Sequence, residues 1–280
     1  MHIPRACHRT ACHTAVTAAA IASTFTSAAP TATAAAVSAS IHLPAVGAGW
    51  DYQLGGAYTP PSGVTVVGRD RTATPAKLGY DICYVNGFQT QDGEKSLWPA
   101  AALLKTSSGA LVGDPDWPGE YILDTRTAAS RAAIFSVVQP WIAGCAAAGY
   151  HAVDIDNLDT YTRFSQLSQA GNYALASMFI NEAHAHGLAA AQKNDAESCA
   201  LGKSTGFDFA VAEECAYNNE CASYTGVYSV VLGIEYSSDV SASTFKDSYC
   251  KAADRPKSLI YRDVDLVPKG KSGYLYTPCQ

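Results

Sequence analysis

Apolar residues along this chain fall into short runs, each closed by polar or charged positions. VTVVGRD (64–70), YDICYVN (80–86), YILDTR (121–126) and AVDIDN (152–157) have this form. So do AAAQKN (189–194), FDFAVAEE (207–214), VYSVVLGIEY (227–236) and SLIYRDVD (258–265). Runs of this length, rich in β-branched and aromatic residues and bounded by turn formers, predict buried strands. Between them the pattern predicts helices over 128–138, 140–148 and 170–186. Pro140 breaks a single helix yet fits the first turn of a second, and Gly187 is a natural stop for the third. WDYQLGG (50–56) lies too close to VTVVGRD for a helix to intervene, so it reads as a short leading strand or cap.

Strands alternating with helices, and apolar on both faces, predict an α/β protein with a parallel sheet. A doubly wound sheet would carry a glycine-rich turn after its first strand. Here VTVVGRD runs into RTATPAKLG, with no such turn. Eight strands in a chain of 280 residues instead predict a single (β/α)8 TIM barrel over residues 41–280.

Residues 1–40 differ from the rest. They contain no acidic residue, and Arg5 and Arg9 precede a small-residue stretch through AVTAAAIAS. That order predicts a secretory leader, with cleavage options such as Ala32-Thr33-Ala34, and hence an extracellular protein. No later stretch reads as a membrane span. The net charge of -6 lacks the basic footprint that nucleic acid requires. An acidic surface suits a neutral or cationic substrate instead. A monomer is expected.

Nine cysteines are present, and Cys7 and Cys12 would leave with the leader. The seven that remain include at least one without an intramolecular partner. Cys215 and Cys221 are the best local pair, and Cys250 with Cys279 would pin the C-terminal segment. Cys83, inside an apolar run, reads as an ordinary buried thiol. No metal or cofactor is expected: there is no Cys-x-x-Cys pair, and the histidines after the leader do not cluster with the cysteines.

The polar strand ends carry the candidate chemistry, because the C-terminal ends of barrel strands build the active site. Asp70, Asn86, Asp124, Asp154, Asp156, Asn157, Lys193, Asn194, Glu213, Glu214, Glu235, Arg262 and Asp263 all fall at that rim. Side chains two apart in a strand share a face, so Asp154 and Asp156 point the same way. Two carboxylates so close need cations, hydrogen bonds or a shared proton, and Lys193 and Arg262 are the expected counter-charges. Asp159 is expected to position a loop, cap a helix or meet substrate. One carboxylic acid that protonates a leaving oxygen, facing a second carboxylate that attacks or activates water, is the minimal apparatus of glycoside hydrolysis. VAEEC supplies the second acid. Glu213 shares its face with Val211, and Glu214 takes the other, so only one can point into the barrel.

Taken together, WDYQLGG, ICYVNG, LDTR, VDIDNLDTY, AHAHGLAAAQKN, FDFAVAEECAYNNEC and GIEY resemble glycoside hydrolase family 114, typified by endo-α-1,4-polygalactosaminidase. The resemblance implies a (β/α)8 hydrolase of α-1,4-linked galactosamine polymers. Matched position by position, it implies Asp156 and Glu213 as the catalytic acids. Asp70, Tyr84, Asp124, Asp154, Asn157, Asp159, Tyr161, Lys193, Asn194 and Glu235 would then line the sugar subsites. Two departures lie at the rim. The first strand ends in one aspartate where the family usually has two, and VNGFQTQDGE replaces a serine-containing stretch followed by acid and arginine. Both would reshape the subsites. The working expectation is a retaining enzyme with Asp156 as nucleophile. The competing expectation is a barrel that binds carbohydrate without turning it over, or a glycosidase for a different α-linked sugar. Trp50, Tyr52, Trp117, Tyr161 and Tyr236 are candidates for stacking on sugar faces.

Overall fold

The computed structural model describes residues 40–279; the expected leader, with Cys7 and Cys12, otherwise lies outside the described residues. Eight parallel strands follow one another in sequence order: β1 (Gly49–Tyr52), β2 (Val64–Asp70), β3 (Tyr80–Asn86), β4 (Ala152–Asp156), β5 (Ala189–Lys193), β6 (Phe209–Glu213), β7 (Val231–Tyr236) and β8 (Ser258–Arg262). A ninth, β9 (Tyr276–Pro278), runs antiparallel along β8. Each of the eight pairs with the next, which is the topology of the expected barrel. The main helices are α1 (Ala128–Ala148), α2 (Thr160–Arg163), α3 (Gln169–Ala185), α4 (Cys199–Thr205), α5 (Cys221–Thr225) and α6 (Ala242–Asp247).

Strand alternation divides the core in two. Trp50, Tyr52, Ile82, Tyr84, Phe209, Val211, Ile234 and Ile260 pack together in the barrel interior. Cys83, Val85, Val153, Ile155, Ala190 and Ala212 take the opposite parity and pack against Ile134, Val138 and Ile142 of α1 and Leu175, Phe179 and Ile180 of α3. Gly68 of β2 is required by this packing: a Cβ there would lie 2.6 Å from the Tyr52 ring. Where β8 meets β1, side chains cross the seam. Arg262, fully buried, donates to Asp51 Oδ1 at 2.6 Å and to the Tyr52 carbonyl at 2.7 Å, while Trp50 Nε1 reaches beyond β8 to the Gly233 carbonyl of β7. Arg262 is thus a partner of Asp51 and Asp263, not of Asp154 and Asp156 as the sequence suggested.

Four other expectations change. GWDY, overlapping the expected leading strand or cap, supplies a full barrel strand, β1, joined to β2 by an irregular loop without a helix. YILDTR is not a barrel strand. It forms antiparallel bridges with Gln89, Leu103 and Gly113 inside the long β3–α1 insertion. Its extended pattern is real, but its partners are local. Pro140 sits inside a continuous α1. It lies on the exposed side, where water can serve the carbonyl whose intrahelical bond is lost, while Ile134, Val138, Ile142 and Cys145 bury the other stripe. α1 is also long and apolar enough by composition to cross a membrane, against the sequence expectation; here its buried stripe rests on the barrel.

Cys83 is not a free thiol but bridges to Cys145 of α1, across a sequence separation of 62. Cys215–Cys221 and Cys250–Cys279 pair as expected, and Cys199 is a buried free thiol. The Cys83–Cys145 bridge ties α1 to β3 around the whole insertion, and cross-links that close long loops restrict the unfolded chain most. Replacing both residues by alanine should therefore lower the unfolding free energy by about 2–5 kcal/mol. Denaturant titration under oxidising conditions reads this directly; a midpoint equal to that of the wild type would mean that α1 is held without the bridge.

Candidate active site

The parity that fills the barrel also places the candidate acids. Asp154 and Asp156 continue the inward series of β4, Lys193 that of β5, Glu213 that of β6 and Tyr236 that of β7. These strand ends converge on a cleft of about 510 Å³ lined by Tyr84, Asp156, Lys193, Glu213 and Tyr236, among others. Lys193, 2% exposed, stands between the two acids. Its Nζ lies 3.0 Å from Asp156 Oδ1 and 2.6 Å from Glu213 Oε2. Laid end to end, those contacts allow the two oxygens to be at most 5.6 Å apart. Tyr84 donates to the other Asp156 oxygen at 2.7 Å, and Tyr236 to Glu213 Oε1 at 2.6 Å.

The turns leaving these strands are left-handed. Asn157, Asn194, Asp195 and Glu214 have φ of 66°, 54°, 63° and 57°, a region that Asn and Asp enter at least cost. The turn at Asn194 lets one side chain serve Glu213 twice. Its Oδ1 accepts from the Glu213 backbone N–H at 2.9 Å, and its Nδ2 donates to Glu213 Oε2 at 3.1 Å. Asn157 Oδ1 accepts from Arg163, which also binds Asp114 of the insertion.

Electrostatics separates the two aspartates. Burial alone would push Asp156 up, but the Lys193 ammonium, the Tyr84 hydroxyl and the Asn157 backbone N–H hold it below the ordinary aspartate value. Asp154 is fully buried, and burial pushes it up to about 7; Lys193 draws it down, while the negative charges of Asp156 and Glu213 oppose that. Its Oδ2 accepts from Tyr52 at 2.7 Å, and its Oδ1 has no partner among the described residues. Burial disfavours the Lys193 ammonium, yet Asp156, Glu213 and Asp154 outweigh it and raise its pKa. Tyr84 and Tyr236 are raised by burial and by the acids they face, so both remain neutral donors.

The remaining expected residues divide. Asp70, Tyr84, Asn157, Asp159, Lys193 and Asn194 line the cleft. Asp154 lies beneath it. Asp124 forms a two-point ion pair with Arg126 and is not among the cleft residues. Tyr161 donates to Asp195, outside that lining. Glu235 takes the outward parity of β7; its oxygens accept the backbone N–H groups of Ala216 and Tyr217, and burial pushes it up to about 7. Its carboxylate lies close to Cys215 and Cys221, but both sulfurs are committed to their disulfide. Of the aromatics, Trp50 and Tyr52 are core, while Tyr236 and Trp117 reach the cleft. Glu214 also reaches it, pushed up to about 7 by burial and by its neighbour Asp239. Sequence reasoning does not single out Gln89, Glu120 or Arg163 as cleft residues: VNGFQTQDGE is expected at the rim only as a stretch, and YILDTR, next to Glu120, reads as a barrel strand.

The model of glycoside-hydrolase family GH114 matches residues 30–280. This chain belongs to that family. As a GH114 member it is a glycoside hydrolase, and its paired acids lie where a barrel enzyme works. Two solved structures have the same fold. The Aspergillus fumigatus Ega3 complex with galactosamine aligns with a TM-score of 0.70 at 22% identity, over 86% of this chain and 98% of its own. The glycoside hydrolase domain of PelA from Pseudomonas aeruginosa aligns with a TM-score of 0.56 at 15% identity, over 82% and 97%. No curated protein matches.

The displaced pKa of Asp154 makes the stability of this GH114 barrel depend on pH. In the unfolded chain Asp154 titrates near 3.8, in the fold near 7. Between those values the folded state holds the extra proton, so stability falls as pH rises, by about 1.4 kcal/mol per pH unit. Above about 7 both states are ionised and this contribution levels off. Asp154→Asn removes the slope. The unfolding free energy of the variant relative to wild type should therefore grow from about pH 4 to about pH 7, and a difference constant across that range would mean that Asp154 is already ionised in the fold.

Proposed function

We propose that this enzyme cleaves α-1,4-linked galactosamine-type polysaccharide with retention of configuration, using Asp156 as nucleophile and Glu213 as general acid and base. The observation that carries the reading is the Lys193 ammonium shared by both acids, 3.0 Å from one and 2.6 Å from the other, which draws the two carboxylates together. Retaining glycosidases hold their carboxyl groups about 5–5.5 Å apart, and inverting ones about 6.5–9.5 Å, to admit a water. The electrostatics favours the same division of labour. Lys193, Tyr84 and Asn157 keep Asp156 ionised, as a nucleophile must be.

In the first step protonated Glu213 gives its proton to the glycosidic oxygen while an Asp156 oxygen bonds to the anomeric carbon. The carbon–oxygen bond to the leaving chain breaks. In the second step Glu213 takes a proton from water, and the resulting oxygen displaces Asp156 from the same carbon. Two inversions give net retention.

The charge of the cleft supports an amino-sugar polymer. Seven carboxylates line it against two basic side chains, and both bases are committed, Lys193 to the catalytic acids and Arg163 to Asp114 and Asn157. Galactosamine in the Ega3 complex points the same way. We also propose export. Three disulfides suit an oxidising compartment, and N-terminal sequencing of the protein from the growth medium should begin near residue 40.

On α-1,4-linked galactosamine polymer, Asp156→Asn and Glu213→Gln should each lower kcat by at least about 10²–10⁴-fold. NMR of the first product should show the new reducing end as the α anomer. A β anomer at first turnover would sink retention, and full activity in either variant would remove that residue from the chemistry.

A further inference from the structure

The β3–α1 insertion places a second kind of chemistry in the cleft. Trp117 is 55% exposed, although it lines the cleft, and most large aromatic residues of this chain are buried. It opens a tight turn in which the Glu120 N–H donates to the Trp117 carbonyl at 3.1 Å. Gly119 within the turn has φ of 98°, and a Cβ there would come within 2.3 Å of Asp92 Oδ1. The left-handed φ favours glycine in this turn, and the turn brings Trp117 and Glu120 to the same cleft.

Glu120 is partly buried, and burial pushes its carboxyl up. Among the described residues no basic side chain pairs with it. Gln89 Nε2 donates to Glu120 Oε2 at 2.7 Å. The amide nitrogen must face the carboxylate, which makes the other Gln89 atom an acceptor. That oxygen, Oε1, is buried and has no partner among the described residues, and Gln89, 1% exposed, lines the cleft. A cleft carboxylate held by a neutral amide and without a counter-charge calls for a cationic N–H donor. An aromatic face beside it calls for a ring with an apolar side. A protonated 2-amino sugar offers both.

We propose that the Trp117–Glu120 turn is an amino-sugar subsite in which the indole stacks on the sugar ring while Glu120, oriented by Gln89, takes the 2-ammonium of an unacetylated unit. It rests on the galactosamine-polymer reading above and adds to it a discrimination. N-acetylation removes the charge and leaves Glu120 with nothing to pair.

Binding measured by calorimetry in an Asp156→Asn background, where turnover is suppressed, tests this with α-1,4-linked galactosamine oligomers and their N-acetylated counterparts. Adding Glu120→Gln should weaken Kd for the unacetylated oligomers about tenfold, the loss of one charge-assisted contact. It should change Kd for the acetylated ones less than about twofold. Adding Trp117→Ala should weaken both by about fivefold or more. Thermal unfolding identical to the background excludes a folding defect. Equal losses for both oligomers in the Glu120→Gln protein, or none, would overturn the subsite while leaving the galactosamine reading intact. Binding of neither oligomer by the background protein would overturn both.

Discussion

The geometry of the site depends on one buried ammonium. Moving a lysine out of water is costly, and the cost is met only when the charge finds opposite charges at close range with good geometry. Lys193 finds two, Asp156 on one neighbouring strand and Glu213 on the other. Three consecutive barrel strands, β4, β5 and β6, are thereby held in register at their C-terminal ends by something other than the backbone ladder. The same contacts limit how far apart the two carboxylates can stand. Removing Lys193 would not merely loosen the site; it would leave two carboxylates facing each other with no cation, and one would have to take up a proton.

Holding those acids at one height requires the chain to turn away from the strands immediately above them. The left-handed residues at Asn157, Asn194, Asp195 and Glu214 do this within one or two positions of the strand ends. Asn and Asp at three of the four are the residues that tolerate such φ best apart from glycine. Glu214 is the exception and sits where burial and Asp239 already raise its pKa. A non-glycine residue in that conformation persists only when its surroundings over-determine it; here the Glu214 N–H is committed to the Ile234 carbonyl.

The inward face of each strand was legible in the sequence because a period of two decides it, given one anchor. Val211 inside forces Glu213 inside, and Asp154 must share a face with Asp156. The family motif singles out Glu213 over Glu214. What the sequence hid were facts about partners. YILDTR has strand character, yet nothing local says whether its hydrogen bonds go to the barrel or to a small antiparallel insertion. Pro140 breaks a helix only if its missing N–H matters more than the stripe buried on either side. Cys83 as a thiol and Cys83 as a bridge look alike until α1 brings Cys145 beside it. Arg262 and Lys193 were equal candidates to pair with the strand-end aspartates, and only the closure of β8 on β1 commits Arg262 to Asp51.

The three aspartates of AVDIDNLDTY show how a few ångströms along one strand separate their chemistry. Asp154 and Asp156 share a face and differ in sequence by one intervening residue, roughly 7 Å along a strand. The outer one meets the ammonium, a tyrosine hydroxyl and a backbone N–H, and is held below the ordinary value. The inner one has a hydroxyl on one oxygen and nothing on the other, and burial lifts it to about 7. Neutral, it adds no repulsion to Asp156; ionised, it would place a second negative charge beneath the first. Asp159, beyond the strand, is half-buried, raised by burial and drawn down by Arg163. Environments that drive neighbouring carboxyl groups apart in pKa fit them for different roles, and here the outer aspartate is the one held ionised, because the inner one lacks the partners that would keep it charged.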